Sequence, residues 1–308
     1  MIYRVRHRTT YRYEAPVTFA RCALRLTPPS LATQTVLASS VVVTPTPSRT
    51  SSRVGPFGEQ VLSVTIDQPH DTLIVEARAR VDVHAPPIGL PLSQAWESVR
   101  ARALATRSLG PEDPAAYLYP TGRTPILPQI TDYARTSFPP GRAVVEGLAE
   151  LMGRIRADFI YDGDATDVRT PPAEAFEARR GVCQDFVHVM LCGLRGLGLP
   201  AAYVSGYLRT LAPPGKKRLE GADATHAWVS AWCGDERGWI GFDPTNDLRV
   251  QNDHIVLAVG RDYGDISPVE GVILAPGKQK LKVEVDVTPE EEPGLITPPA
   301  RRVAAPGG

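Results

Sequence analysis

The segment Gly181-Val182-Cys183-Gln184-Asp185-Phe186-Val187-His188-Val189-Met190-Leu191-Cys192-Gly193-Leu194-Arg195-Gly196-Leu197-Gly198-Leu199-Pro200 reads as one amphipathic helix with a thiol at its start. Phe186, Val187, Met190, Leu191, Leu194 and Leu197 recur at spacings of three and four, which defines a single buried face. Gly196 and Gly198-Leu199-Pro200 end the run. Gly181 lets a tight loop approach the helix. Cys183 then meets unpaired amide N–H groups and the positive end of the helix dipole, a setting that favours a thiolate.

Strand-like runs follow this helix at 201–208, 226–233, 239–242 and 255–259, and the loop 212–218 separates the first two. Before it, 143–159 reads as a longer helix with Val144, Leu148, Leu151, Met152 and Ile155 on one stripe. From Ser93 the pattern is helical, with Ala95, Trp96, Val99, Ala103 and Leu104 at helix spacing. Pro111, Pro114, Pro120, Pro125 and Pro128 then restrict helices to short pieces.

The front of the chain alternates instead. Tyr3, Val5, Tyr11 and Tyr13 fall on odd positions, and Arg4, Arg6, Arg8 and Arg12 on even ones. Period two means a strand, with the arginines on a solvated face. Further runs at 35–44, 59–67 and 72–84 are separated by turn clusters such as Gly55-Pro56-Phe57-Gly58. The expected organisation is therefore a small all-β, sandwich-like domain over 1–88. A helical, Pro-rich connector over 89–142 and an α+β core over 143–275 follow, then a terminal segment over 276–308. That segment holds one strand at 281–287, and residues 288–308 are expected to be disordered.

Composition narrows the function classes. Of 308 residues, 43% are hydrophobic and 22% charged, and 34 basic residues balance 34 acidic ones. That balance gives no global pull toward nucleic acid or an anionic membrane. No apolar run approaches the roughly 20 residues of a membrane span. Cys22, Cys183, Cys192 and Cys233 are scattered, without zinc-site spacing or a disulfide framework. The basic N-terminus has no apolar core behind it and so is not a signal peptide. A cytoplasmic protein with reduced thiols, no cofactor and no metal is expected.

Three segments carry the chemistry: Cys183 in Gly181-Val182-Cys183-Gln184-Asp185, His226 in Thr225-His226-Ala227-Trp228, and Asp243 in Gly241-Phe242-Asp243-Pro244-Thr245-Asn246. A thiolate attacks a carbonyl, an imidazole moves the proton, and a carboxylate holds the imidazole in the right tautomer. His188 shares the helix of Cys183 but points about 140° away around it, at roughly 100° per residue. His7, His70 and His84 lie in the β-rich front, and His254 has only Asp253 beside it, so His226 is the candidate base. Cys22, Cys192 and Cys233 read as small buried hydrophobes. The backbone N–H of Cys183 is one oxyanion donor. Gln184, Tyr161 and Trp228 are candidates for further oxyanion or substrate contacts, and each has an ordinary structural alternative as a capping residue or a core aromatic.

These residues resemble the transglutaminase-like superfamily, in particular its bacterial branch of candidate cysteine proteases. Arg180-Gly181-Val182-Cys183-Gln184-Asp185-Phe186, His226-Ala227-Trp228-Val229 and Phe242-Asp243-Pro244-Thr245-Asn246 match that family's core in order and spacing. Leu194-Arg195-Gly196-Leu197-Gly198-Leu199-Pro200-Ala201 and Val204-Ser205-Gly206-Tyr207 add to the match. Tyr11-Arg12-Tyr13-Glu14-Ala15-Pro16-Val17 and Leu24-Arg25-Leu26-Thr27-Pro28 resemble the β-rich domain that precedes the core in bacteria. The resemblance implies a papain-like fold, with the Cys helix packed on an antiparallel sheet. It also implies Cys183 as nucleophile, His226 as acid/base and Asp243 as its orienter. No acidic calcium loop of the kind found in animal cross-linking relatives is visible.

The expected function is hydrolysis of a peptide or isopeptide amide through an acyl-thioester on Cys183. Acyl transfer from glutamine to an amine is the alternative. A non-catalytic binding or scaffold protein of the same fold would lack one of the three residues. An arylamine acetyltransferase-like enzyme would need a coenzyme A site, which no basic, Gly-rich segment suggests.

Overall fold

Alternation at the front and helical periodicity behind it produce an α+β chain whose sheets are antiparallel, apart from one two-strand pair. The computed structural model describes residues 1–84, 93–209, 225–274 and 277–290. The proline-rich junction at 85–87, the loop at 212–218 and the tail beyond residue 290 lie outside the described residues.

The front is built from β1 (Ile2–Val17), β2 (Phe19–Leu24), β3 (Gln34–Thr44), β4 (Arg49–Val54), β5 (Gln60–Ile66) and β6 (His70–Val83). Three helices follow: α1 (Trp96–Ala105), α2 (Pro128–Arg135) and α3 (Val144–Asp158). Next come β7 (Ile160–Tyr161), α4 (Pro172–Ala178), β8 (Arg180–Gly181) and α5 (Cys183–Gly196). The remaining elements are β9 (Ala201–Leu208), β10 (Thr225–Trp232), β11 (Trp239–Asp243), β12 (Leu248–Arg249), β13 (His254–Gly260), α6 (Tyr263–Ile266), β14 (Val269–Leu274) and β15 (Gln279–Pro289).

Two four-stranded sheets, ordered β15-β1-β6-β3 and β14-β2-β5-β4, enclose one apolar cluster that includes Tyr3, Val5, Val64, Leu73, Val75 and Val285. As the alternation predicts, Tyr3, Val5 and Tyr13 of β1 point inward and the arginines outward. Arg6 and Arg8 reach Glu76 at 3.2 and 3.5 Å, and Arg4 and Arg80 both hold Glu290. Surface pairs of this kind contribute about 0–1 kcal/mol each, so they favour the register of the sheet more than its stability.

Both chain ends build this sandwich. β14 pairs with β2, and β15 pairs with β1 along its whole length. The strand expected at 281–287 is therefore longer. Thr288 and Pro289 belong to it, and Glu290 is ion-paired, which corrects the expectation of disorder at those three positions. The reason is partner availability. β1 offers an open edge that pairs Tyr3 with Pro289 and Arg4 with Thr288.

The second unit is a five-stranded sheet, ordered β12-β11-β10-β9-β13, with α5 packed on β9 and β10. The predicted face of α5 is buried: Phe186, Val187, Met190, Leu191 and Leu194 join Ala201, Tyr203, Ala227, Val229 and Ala231 in one core. Full burial of such side chains is worth about 1.5–3 kcal/mol each, enough to fix the helix on the sheet. Gly198 (φ 77°) closes the helix. Its N–H donates to the Arg195 carbonyl and the Leu199 N–H to the Leu194 carbonyl, both at 2.9 Å, an arrangement that only a residue tolerant of positive φ adopts cheaply.

The sandwich grips β13. Tyr207, Ile255 and Leu257 are part of its apolar cluster. The buried Gln34 side chain donates from Nε2 to the Val256 carbonyl and accepts from the Val256 N–H, each at 2.8 Å. This spot adjoins a bulge in the β9–β13 ladder between Val256 and Ala258. The Tyr3 hydroxyl donates to Asp253 Oδ1 at 2.8 Å. Among the described residues, no helix is long and apolar enough to cross a membrane.

Candidate active site

Cys183 is the first residue of α5. The approach to it is pinned twice. β7 and β8 form a parallel bridge that sets Tyr161 beside Gly181. Asp185, in the first turn, accepts from the Val182 N–H at 2.8 Å and from the Thr166 hydroxyl at 2.6 Å. A Cβ at position 181 would collide with that carboxylate, so the glycine leaves room for the cap. Cys183 is half-buried, whereas Cys22, Cys192 and Cys233 are buried. Burial pushes the Cys192 and Cys233 thiols up to about 12, which makes them inert.

His226 and Trp228 alternate along β10 with Ala227 and Val229, which face the α5 core. The β10–β11 register pairs Val229 with Phe242, so one further step sets Asp243 level with Trp228 and diagonal to His226. The His226 Nε2 donates to Asp243 Oδ2 at 2.7 Å. The Cys183 thiol lies close enough to His226 to favour its charged form. Burial alone would lower the His226 pKa. The bonds to Asp243 and then to Cys183, together with the charges of both, outweigh burial and push it up to about 10.

Asp243 has no exposed surface. Burial would raise its pKa, but its donors hold it well below the usual carboxylate range. Oδ1 accepts from the Thr245 and Asn246 N–H groups at 3.0 and 3.3 Å. Oδ2 accepts from His226, from Asn246 Nδ2 at 2.7 Å and from His254 Nε2 at 3.4 Å. The turn after Asp243 thus solvates the carboxylate with backbone and side-chain N–H groups in place of water.

His254 corrects the sequence reading, which gave it only Asp253 as a neighbour. It starts β13, is buried, and packs edge-on against Trp228 at 5.1 Å between centroids. Sequence proximity could not show this, because β9 lies between β13 and β10. The one signal was an imidazole leading an apolar strand. His226, Asp243 and His254 also bring possible metal-ligating atoms within 4.8 Å of one another, and the hydrogen bonds among them account for that closeness.

The other candidates part company. Trp228 is fully buried, with its ring beside both His226 and His254, so it packs under the imidazoles. Gln184 is nearly buried and donates from Nε2 to the Val168 carbonyl at 3.3 Å, tying a surface loop to the helix start. Tyr161 is 58% exposed, with its ring near Phe186. Partial burial and then the charge of Cys183 raise its pKa, so the hydroxyl keeps its proton at neutral pH. His188 is turned away. It is buried against Tyr203, burial pushes it down to about 3, and Nε2 accepts from the Tyr263 N–H at 3.4 Å.

Comparison with known proteins bears on the family and the fold. Residues 3–82 match the family model for the bacterial transglutaminase-like N-terminal region, and residues 132–244 match that of the transglutaminase-like superfamily. An uncharacterized protein of Mycobacterium tuberculosis is 40% identical, covering 95% of this chain and 94% of its own length. One of Mycobacterium leprae is 34% identical over 92% of this chain and 98% of its own. A solved structure described as a candidate cysteine protease from Cytophaga hutchinsonii superposes with a TM-score of 0.73 at 20% identity, covering 95% of this chain and 92% of that one.

Proposed function

This chain belongs to the transglutaminase-like superfamily, and from that premise we propose that it is a cysteine-dependent hydrolase acting on a peptide or isopeptide amide bond. The observation that carries this reading is the 2.7 Å bond from His226 to a fully buried carboxylate, with the Cys183 thiol near enough to favour the imidazolium.

In the proposed cycle the Cys183 thiolate attacks the amide carbonyl carbon. The carbonyl oxygen gains the negative charge and is met by the Cys183 backbone N–H at the helix start. The C–N bond then breaks, and the His226 imidazolium gives its proton to the departing amine. The product is an acyl-thioester with neutral His226. Water attacks the thioester while His226 takes its proton, the C–S bond breaks, and the acid leaves with thiolate and imidazolium restored. Asp243 holds the imidazole orientation throughout and stabilises its positive form. Tyr161 keeps a role at the mouth as a hydroxyl donor to substrate. Trp228 and Gln184 support the site through packing and loop attachment.

The domain reading that fits this cycle is a catalytic unit over residues 93–268 with a sandwich assembled from 1–84 and 269–290. Hydrolysis is favoured over transfer because transfer needs water excluded from the thioester, whereas Cys183 is only half-buried and Tyr161 beside it is exposed. The test is mass-spectrometric profiling of peptide and isopeptide libraries with and without an added primary amine. Cleaved amides that disappear with Cys183→Ala support the proposal. Amine incorporation would shift it to acyl transfer. No turnover and no acyl-enzyme with any library would sink it.

A further inference from the structure

We infer that His254 is a positioning residue for the Cys183–His226 pair, acting through Asp243, and that the N-terminal sandwich holds it in place. The inference rests on the functional reading above and adds a fourth side chain to it.

Two imidazoles converge on one carboxylate oxygen, with His226 Nε2 at 2.7 Å and His254 Nε2 at 3.4 Å from Asp243 Oδ2. His254 is a buried group, and its Nδ1 has no partner among the described residues. The ring therefore has one use for its proton, the donor bond from Nε2 to Asp243. A buried carboxylate with Oδ2 shared by three N–H groups cannot rotate away from His226 without leaving another donor unpaired. His254 thus fixes the rotation of Asp243, and Asp243 fixes the plane of His226.

Among the described residues, few groups face His254. Asp243 and Trp228 touch its ring, and His226 lies 6.3 Å away between centroids. Its chain neighbour Asp253 is occupied by the Tyr3 hydroxyl and by Arg209 at 3.4 Å. Two residues further on, Val256 is held at both backbone groups by Gln34. Two sandwich side chains therefore clamp β13 on either side of His254. This gives the β-domain a role in catalysis that needs no contact with substrate.

The experiment compares the rate at which iodoacetamide alkylates Cys183 in the full chain carrying His254→Phe, His254→Met or His254→Gln. Circular dichroism reads folding in the same samples. Phe keeps the ring contact with Trp228 and Met keeps volume, but neither donates, whereas Gln presents an N–H near the position of Nε2. The expected result is about a ten-fold loss for Phe and Met, the scale at which outer partners of a functional histidine act, with most of the rate recovered by Gln. A folded Phe or Met variant alkylated at the wild-type rate would overturn the inference, and so would a Gln variant as slow as the other two. A wild-type Cys183 that reacts no faster than in the unfolded chain would overturn the functional reading and this inference with it.

Discussion

The indole of Trp228 lies directly against Gly206 on the neighbouring strand. A Cβ at that position would collide with the edge of the Trp228 ring and with the Ile255 carbonyl. The pair explains how β10 and β13, with β9 between them, can carry ring side chains side by side. Gly206 is level with His226 on β10 and with Val256 on β13, and its missing side chain is the space through which Trp228 reaches His254. Because the nearest obstructing atom, the Ile255 carbonyl oxygen, is backbone, the clash cannot be relieved by a rotamer change. Gly206→Ala is expected to destabilise the protein by about 1–3 kcal/mol or more. It should also slow Cys183 chemistry, as the indole is pushed toward the imidazoles. Denaturant unfolding and Cys183 labelling check both parts, and an unchanged variant would mean the strands are not so closely packed.

The Gln34 side chain stands in for a missing strand neighbour at Val256. Gln34→Leu would leave the N–H and the carbonyl of Val256 without their side-chain partners in a part-buried place. Each such loss costs about 1–3 kcal/mol. The expected outcome is a fall of about 1–3 kcal/mol in unfolding free energy, measured by urea titration. A change below about 0.5 kcal/mol would show that water replaces the amide freely.

His226 should titrate far above an ordinary histidine. Its folded pKa is raised to about 10, against about 6.5 in an unfolded chain. The stability from this pairing is therefore fully present below about pH 6.5, declines above it, and is lost as pH rises through about 10. Asp243, held low, contributes stability above about pH 3.9 that is lost as acid protonates it. NMR titration of the His226 ring is the direct check. Asp243→Asn should bring the value down further than Cys183→Ala does, because the Asp243 bond is the larger of the two raising contributions. Equal shifts would put the sulfur on a par with the carboxylate.

Much of this architecture is legible in the chain. The stripe from Phe186 to Leu194, the glycine stop at Gly198 and the alternation of β1 depend on local periodicity, and local periodicity survives folding. Cys183, His226 and Asp243 were legible because each sits in a segment whose local geometry suits its task. What escaped depends on pairing between distant segments. β14 and β15 fold back onto β2 and β1, and nothing within 269–290 names those partners. β4, exposed along its whole length, carries no alternation because neither face is buried. His254 escaped for the same reason, since its place beside Asp243 is set by sheet order and by a glycine on the adjacent strand β9. Trp228, read as either an oxyanion candidate or a core aromatic, is buried and packs diagonally against Gly206 of β9.

Selectivity among the four thiols follows from burial. In the folded protein iodoacetamide should label Cys183 at least about a hundred-fold faster than Cys22, Cys192 or Cys233, since those three are closed off and their thiolates disfavoured. Peptide mapping after brief labelling reads all four at once. Comparable labelling of a buried cysteine would point to an opening of the core.

The most direct test of the central claim is the second-order rate of Cys183 alkylation at neutral pH in the wild-type protein and in His226→Gln, with folding confirmed by circular dichroism. An imidazole that takes the thiol proton and is steadied by Asp243 predicts a loss of at least about ten-fold in the variant. Identical rates in the two folded proteins would contradict the account.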